Sequence, residues 1–243
     1  MRLASDVMKL VLLDIDGVLA TGPDGGDCLD GQEIHRASPG PLIPPPPDDI
    51  RVVLLTHRQR TEATQVVTAL DLASRIHGMV CADDLMAQWF RGLLRGRFRP
   101  GLTKELCAPI LGNRFAWAGG QATAFIDNSA FNLQRIHAAG IAHHCIQIRA
   151  PQVEGNFVRT SAVGEALRTA YRLLDAGAAA TGPIVQLDWN EQPTELAKLA
   201  TGVVLHVRAT PGARLRASLA AIRRWAGRAP LPGRQPPPPA QGL

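Results

Sequence analysis

Val11-Leu12-Leu13-Asp14-Ile15-Asp16-Gly17-Val18-Leu19 places two carboxylates, one residue apart, straight after an apolar run and just before a glycine. In a parallel α/β sheet, ligands bind just beyond the carboxyl ends of the strands. If the apolar run is such a strand, Asp14 and Asp16 stand at the rim where an active site belongs. Taken alone, the pair reads equally as carboxylate chemistry or as an acidic turn closing an ordinary strand. A second acidic pair, Asp83-Asp84, also follows an apolar run. There the sequence favours a strand end and a helix N-cap.

The elements that must position these residues are legible from hydrophobic patterning. Lys9 to Leu13, Arg51 to Leu55, Gly78 to Cys81, Ala124 to Ile126 and His144 to Ile148 read as strands. The first two are continuously apolar, as strands buried on both faces of a parallel sheet are. Helical spacing follows over Glu62 to Leu72, Asp84 to Leu94 and Asn128 to Ala139. This alternation predicts an open α/β sheet covered by helices. Residues 20–49 are rich in Gly and Pro, with the tetraproline Pro44 to Pro47. No periodic element is expected there. The segment reads as a small flap beside the first strand or as a disordered loop, followed by a stiff spacer.

Beyond Pro151 the pattern is weaker. Ser161 to Ala176 is expected to be helical, Pro183 to Leu187 and Val203 to Val207 to be strands, and Ala213 to Ala226 to be an amphipathic helix. The expected organisation is a core over 1–150, an α/β extension of unassigned role over 151–228, and a Pro-rich disordered tail over 229–243.

DIDGVL after an apolar strand resembles the first motif of the haloacid dehalogenase superfamily, most of whose members are magnesium-dependent phosphatases. That family carries three further motifs in fixed order, and similar residues follow here. Thr56 closes Val52-Val53-Leu54-Leu55, Lys104 stands in Leu102-Thr103-Lys104-Glu105-Leu106, and Asp127-Asn128 closes Phe125-Ile126. The resemblance implies a Rossmann-like three-layer sandwich with a central, mostly parallel sheet. It implies that Asp14 attacks phosphorus to form an aspartyl-phosphate and that Asp16 serves as general acid and then base. Thr56 would donate to a phosphoryl oxygen, and Lys104 would offset the crowded negative charge. Mg²⁺ would be held by Asp14, the backbone carbonyl of Asp16, Asp127 and Asn128. Many relatives have two acidic residues where this chain has Asp127-Asn128, which predicts weaker Mg²⁺ binding. His57 and Arg58 flank the second motif, either touching substrate or shaping the loop that leads into the next helix. The short stretches between motifs imply no large cap domain, and hence an open site for a small or macromolecular phosphorylated substrate.

Composition narrows the partners. The chain has 243 residues, is 46% hydrophobic and 19% charged, and has a mean hydropathy of zero, which are globular proportions. No apolar run approaches the roughly 20 residues of a membrane span, so no membrane partner is expected. The four cysteines lie far apart with no CxxC pair, which points to reduced thiols and a cytoplasmic setting rather than disulfides. The net charge of +5 favours anionic ligands. Nucleic acid is weakly supported: Arg91, Arg95, Arg97 and Arg99, and the C-terminal arginines from Arg214 to Arg234, lack an accompanying aromatic pattern. Besides a phosphatase, the sequence leaves open a catalytically weak or inactive binding protein on the same fold, or a phosphatase of nucleic-acid ends.

Overall fold

The computed structural model describes residues 8–22, 33–37, 42–96, 101–117, 119–148, 152–154, 157–160, 162–177, 185–187, 190–193 and 205–206. In chain order the elements begin with β1 (Lys9–Leu13), β2 (Ala20–Thr21), β3 (Glu33–Arg36), β4 (Ile50–Leu55), α1 (Arg60–Ala69), β5 (Gly78–Val80) and α2 (Ala82–Leu94). A 3-10 turn at Lys104–Cys107 leads into α3 (Ala108–Phe115), followed by β6 (Thr123–Asp127), α4 (Ala130–Ala138) and β7 (His144–Ile148). The remainder is β8 (Gln152–Glu154), β9 (Phe157–Thr160), α5 (Val163–Ala176), β10 (Val185–Leu187), β11 (Asn190–Pro193) and β12 (Leu205–His206).

Six strands form one sheet in the order β10-β7-β6-β1-β4-β5, and every pairing in it is parallel. β1 lies inside the sheet with Leu13 level with Leu54 on one side and Ile126 on the other. Successive side chains of a strand point to opposite faces, so an apolar run such as Leu10 to Leu13 feeds both layers. Val11 and Leu13 pack with Val66 of α1 and with Ala166, Leu167 and Ala170 of α5. Leu10 and Leu12 pack on the other face with Ile110 and Leu111 of α3 and with Leu133 and Ile136 of α4. The result is the expected Rossmann-like three-layer sandwich, with helices on both faces of a parallel sheet.

Several boundaries move for local reasons. The helix expected to reach Leu72 ends at Ala69, because Leu70 caps it and Asp71 takes a positive φ of 53°. α4 begins two residues later than expected, where the Ser129 hydroxyl accepts from the Asn132 amide and caps it. The Gly/Pro-rich segment does carry strands: β2 pairs antiparallel with β3, and β12 pairs with β3 on its other side. Ile34, Leu42 and Ile43 bury themselves in the core, and the Tyr171 hydroxyl of α5 donates to the Pro44 carbonyl at 3.4 Å. Apolar anchors therefore hold the described parts of a stretch whose composition argued against any element.

The boundary expected at residue 150 does not separate layers of structure. α5 buries Val163, Ala166, Leu167, Ala170, Tyr171 and Leu174 on the sheet, and β10 extends that sheet beside β7. A second antiparallel sheet, β11-β9-β8, was not anticipated. The helix expected over 213–226 and the tail expected over 229–243 lie outside the described residues. Among the described residues no helix is long and apolar enough to cross a membrane.

Candidate active site

The chain runs from β1 outward to β4 and β5, then returns to place β6 on the other side of β1. This reversal of strand order opens a crevice between the carboxyl ends of β1 and β6, the place where open α/β sheets bind ligands. Asp14 lies one residue beyond β1, with its amide donating to the Ile126 carbonyl at 3.0 Å. Asp127 is the last residue of β6, and Thr56 lies one residue beyond β4. A cavity of about 220 Å³ opens at this edge, lined by Asp14, Asp16, His57, Lys104, Asn128, Ser129 and Asn132.

Lys104 binds the centre together. It is 2% exposed, and its Nζ lies 2.9 Å from Asp14 Oδ1 and 2.7 Å from Asp127 Oδ2. Burial alone would lower the lysine pKa, but Asp14 and Asp127 outweigh it and hold the ammonium above its ordinary value. Asp14 experiences the opposite balance. Burial is the largest influence and, with repulsion from Asp127 and Asp16, pushes its carboxyl up to about 8 against the pull of Lys104. Asp127 is wholly buried behind Lys104. Its Oδ1 accepts from the Ser129 amide at 2.7 Å, and its Oδ2 accepts from Asn132 Nδ2 at 3.1 Å as well as from Lys104.

Asp16 meets Arg58 rather than open solvent alone. Arg58 Nε lies 3.1 Å from Asp16 Oδ1, and Nη2 donates to the same oxygen. The backbone of Arg58 is itself fixed: its amide donates to Thr56 Oγ1 at 3.1 Å, and its carbonyl accepts from the Ala82 amide at 2.8 Å. His57 reaches the cavity wall with part of its surface exposed, and desolvation of the remainder and then the nearby Lys104 lower its imidazole pKa.

The turn that follows the two acids depends on Gly17. The Ile15 carbonyl accepts from the amides of Leu19 and Ala20, which tightens the turn. Gly17 has a φ of 73°, and a Cβ there would fall 2.1 Å from Asn128 Nδ2. Asn128 in turn is held by Gln147, whose Nε2 donates to the Asn128 carbonyl at 3.1 Å. The glycine thus admits both the turn and the Asn128 side chain at the cavity floor.

The expected residues therefore converge, in unequal roles. Asp14, Asp16, His57, Lys104 and Asn128 line the cavity, whereas Thr56, Arg58 and Asp127 stand behind it and hold others in place. Sequence reasoning missed Ser129, whose neighbour relation to Asp127 was the available signal, and the Arg58–Asp16 pair, which no local spacing announces. Among the described residues no three His, Cys, Asp or Glu side chains converge as a metal cluster. The donor chemistry nevertheless suits Mg²⁺. Asp14 and Asn128 present oxygen donors at one cavity, the hard ligand type that Mg²⁺ takes.

Other candidates fall elsewhere. Asp84 accepts from the Cys81 amide at 3.0 Å and pairs with Arg60 and Arg114, while Asp83 accepts from the Arg60 amide at 2.7 Å. Both serve the start of α2 and its surroundings. Arg91 and Arg95 line a separate groove of about 250 Å³ with Trp89. Arg97, Arg99 and the C-terminal arginines lie outside the described residues. His143 and His144 sit edge to face at the start of β7, at the opposite end of that parallel strand from the crevice. No family model matches this chain, and no curated protein matches it.

Proposed function

We propose that this chain is a Mg²⁺-dependent phosphatase that hydrolyses a phosphomonoester through an aspartyl-phosphate on Asp14. The observation that carries the reading is the placement of Asp14, with Lys104 on its carboxylate and Asp16 two residues away, at the strand-order reversal between β1 and β6. The resemblance of the four motifs to those of the haloacid dehalogenase superfamily supports the same chemistry.

In this reading an Asp14 oxygen attacks phosphorus, and the bond to the leaving oxygen breaks in line. Asp16 gives that oxygen its proton, then takes one from the water that attacks the phosphoenzyme, releasing phosphate and the Asp14 carboxylate. Thr56 Oγ1 accepts from the Arg58 amide and so helps hold Arg58, which pairs with Asp16, from behind the cavity. Lys104 offsets the charge that phosphate brings beside Asp14 and Asp127. Asp14, the backbone carbonyl of Asp16 and Asn128 would hold Mg²⁺, with Asp127 behind them orienting Lys104. When bound, Mg²⁺ neutralises phosphoryl charge and orients the group. Among the described residues the elements between β1 and β4 are β2 and β3.

The test is hydrolysis of an aryl phosphate with and without Mg²⁺, beside an Asp14→Asn control and a beryllium fluoride trapping experiment. Mg²⁺-dependent turnover that Asp14→Asn abolishes is expected. The absence of both turnover and trapping would overturn the reading. That outcome would favour a binding protein, for which the Arg58 contact on Asp16 is the specific support.

A further inference from the structure

Phe131 is a large apolar side chain left 59% exposed, on the first turn of α4. It is flanked in sequence by residues of the candidate cavity, Ser129 two positions before it and Asn132 immediately after. The Arg135 guanidinium carbon lies over its ring, 5.3 Å from the centroid. Arg135 is itself anchored, with Nε 2.5 Å from Oε1 of Glu105, a carboxylate only 9% exposed and next in sequence to Lys104. The helix turn that carries Phe131 is fixed by the Ser129 cap and by the Asn132–Asp127 contact. One ring face is thus held against a cation, and the ring stands in solvent at the end of α4 nearest the site.

We infer that Phe131 is a stacking platform for a flat ring in the alcohol part of the substrate, so that the phosphomonoester class is that of nucleotides. The inference rests on the phosphatase reading for the position of the phosphoryl group. An aromatic face offers base stacking that is tolerant of base identity, worth about 1–3 kcal/mol per base, and the guanidinium beneath holds the ring flat. A free nucleotide and the terminal nucleotide of a nucleic acid share this chemistry.

Adenosine 5′-monophosphate carries an adenine where ribose 5-phosphate carries the C1 hydroxyl, so their comparison reports on the platform. The expected KM is about tenfold lower for adenosine 5′-monophosphate. Phe131→Leu keeps an apolar side chain but removes the ring, and should bring the two KM values together while leaving kcat/KM for ribose 5-phosphate unchanged; Phe131→Trp should preserve the preference. Equal KM values in the unmodified protein, with turnover present, would overturn the platform and leave the phosphatase reading standing. Equilibrium binding of the two ligands to the Asp14→Asn protein supplies the converse arm. A Phe131-dependent preference there, with no turnover in the unmodified protein, would keep the platform and remove the phosphatase reading. A lack of preference would overturn the platform. A 5′-phosphorylated oligonucleotide that binds more tightly than adenosine 5′-monophosphate would assign the nucleic-acid end as source; equal or weaker binding would assign the free nucleotide.

Discussion

Asp14-Ile15-Asp16 and Asp83-Asp84 both follow short apolar strands, β1 and β5, yet their carboxylates do opposite work. β1 has a parallel neighbour on each side, and its carboxyl end opens on the crevice made by the return of the chain to β6. β5 is an edge strand and offers no such crevice. Asp14 is accordingly buried against Lys104 with its carboxyl pushed up to about 8 by burial, a perturbation common at functional sites. Asp84 is held below its ordinary value: burial raises it, but Arg114, the Cys81 amide and Arg60 outweigh that. One pair holds charge in tension beside a cavity, and the other spends it on satisfying a helix end. Position in the sheet, not local sequence, separates the two roles.

Removing Lys104 should expose this difference most strongly. Lys104→Met leaves Asp14 and Asp127 buried without their cation and is expected to cost about 3–5 kcal/mol, read as a fall in the denaturant midpoint. Adding Asp127→Asn should recover part of the loss, since one uncompensated charge then disappears. Equal stability of Lys104→Met and the unmodified protein would refute the buried triad. Gly17→Ala forces a side chain into a positive φ and against Asn128, with an expected loss of about 1–3 kcal/mol and a matching fall in turnover.

The other acidic pair should behave as structure alone. Asp84→Ala removes the N-terminal contacts of α2 and should destabilise by roughly 2 kcal/mol while leaving turnover within about twofold, the outcome that most directly sharpens the contrast with Asp14→Asn. pH sharpens it further. Because the folded Asp84 pKa is depressed, its contribution is fully present above the ordinary value of 3.8 and is lost as pH falls through the lower folded value. The stability gap between the unmodified protein and Asp84→Asn should therefore close only in strong acid, as seen in urea titrations at several pH values. Smallest of all is Lys9, whose Nζ lies 2.7 Å from both Asp49 and Asp175 at the exposed opposite edge. Lys9→Gln should cost roughly 0.5 kcal/mol after solvent screening, and less in high salt.

The strands of the main sheet were legible because burial on both faces demands continuous apolar runs, as at Leu10 to Leu13 and Val52 to Leu55. α5 was legible because only one face is buried, at 3.6-residue spacing. α3 was not: Pro109, Gly112 and Asn113 are poor helix formers, and packing of Ile110, Leu111 and Phe115 overrides them. β2 and β3 were hidden for the same reason, their order coming from distant contacts. At the site, the acids at strand ends were visible as residue types. Lys104 was visible through the order of the motifs, but the Arg58–Asp16 pair was not, since Arg58 comes from a segment far along the chain and meets Asp16 only through the parallel topology. The division between cavity-lining Asp14 and wholly buried Asp127 is likewise a property of the fold.

The interior position of β1 has a consequence for biosynthesis. β1 emerges ahead of both its neighbours, pairs first with β4, and must then wait for β6 to be translated. At about 5–20 residues per second the stretch from Leu55 to Thr123 takes roughly 3–14 s to appear. Throughout that interval the Leu10–Leu13 backbone groups meant for β6 remain an open edge, a template for pairing with the wrong chain. The crevice beside Asp14 is thus assembled only when that vulnerable edge is finally closed.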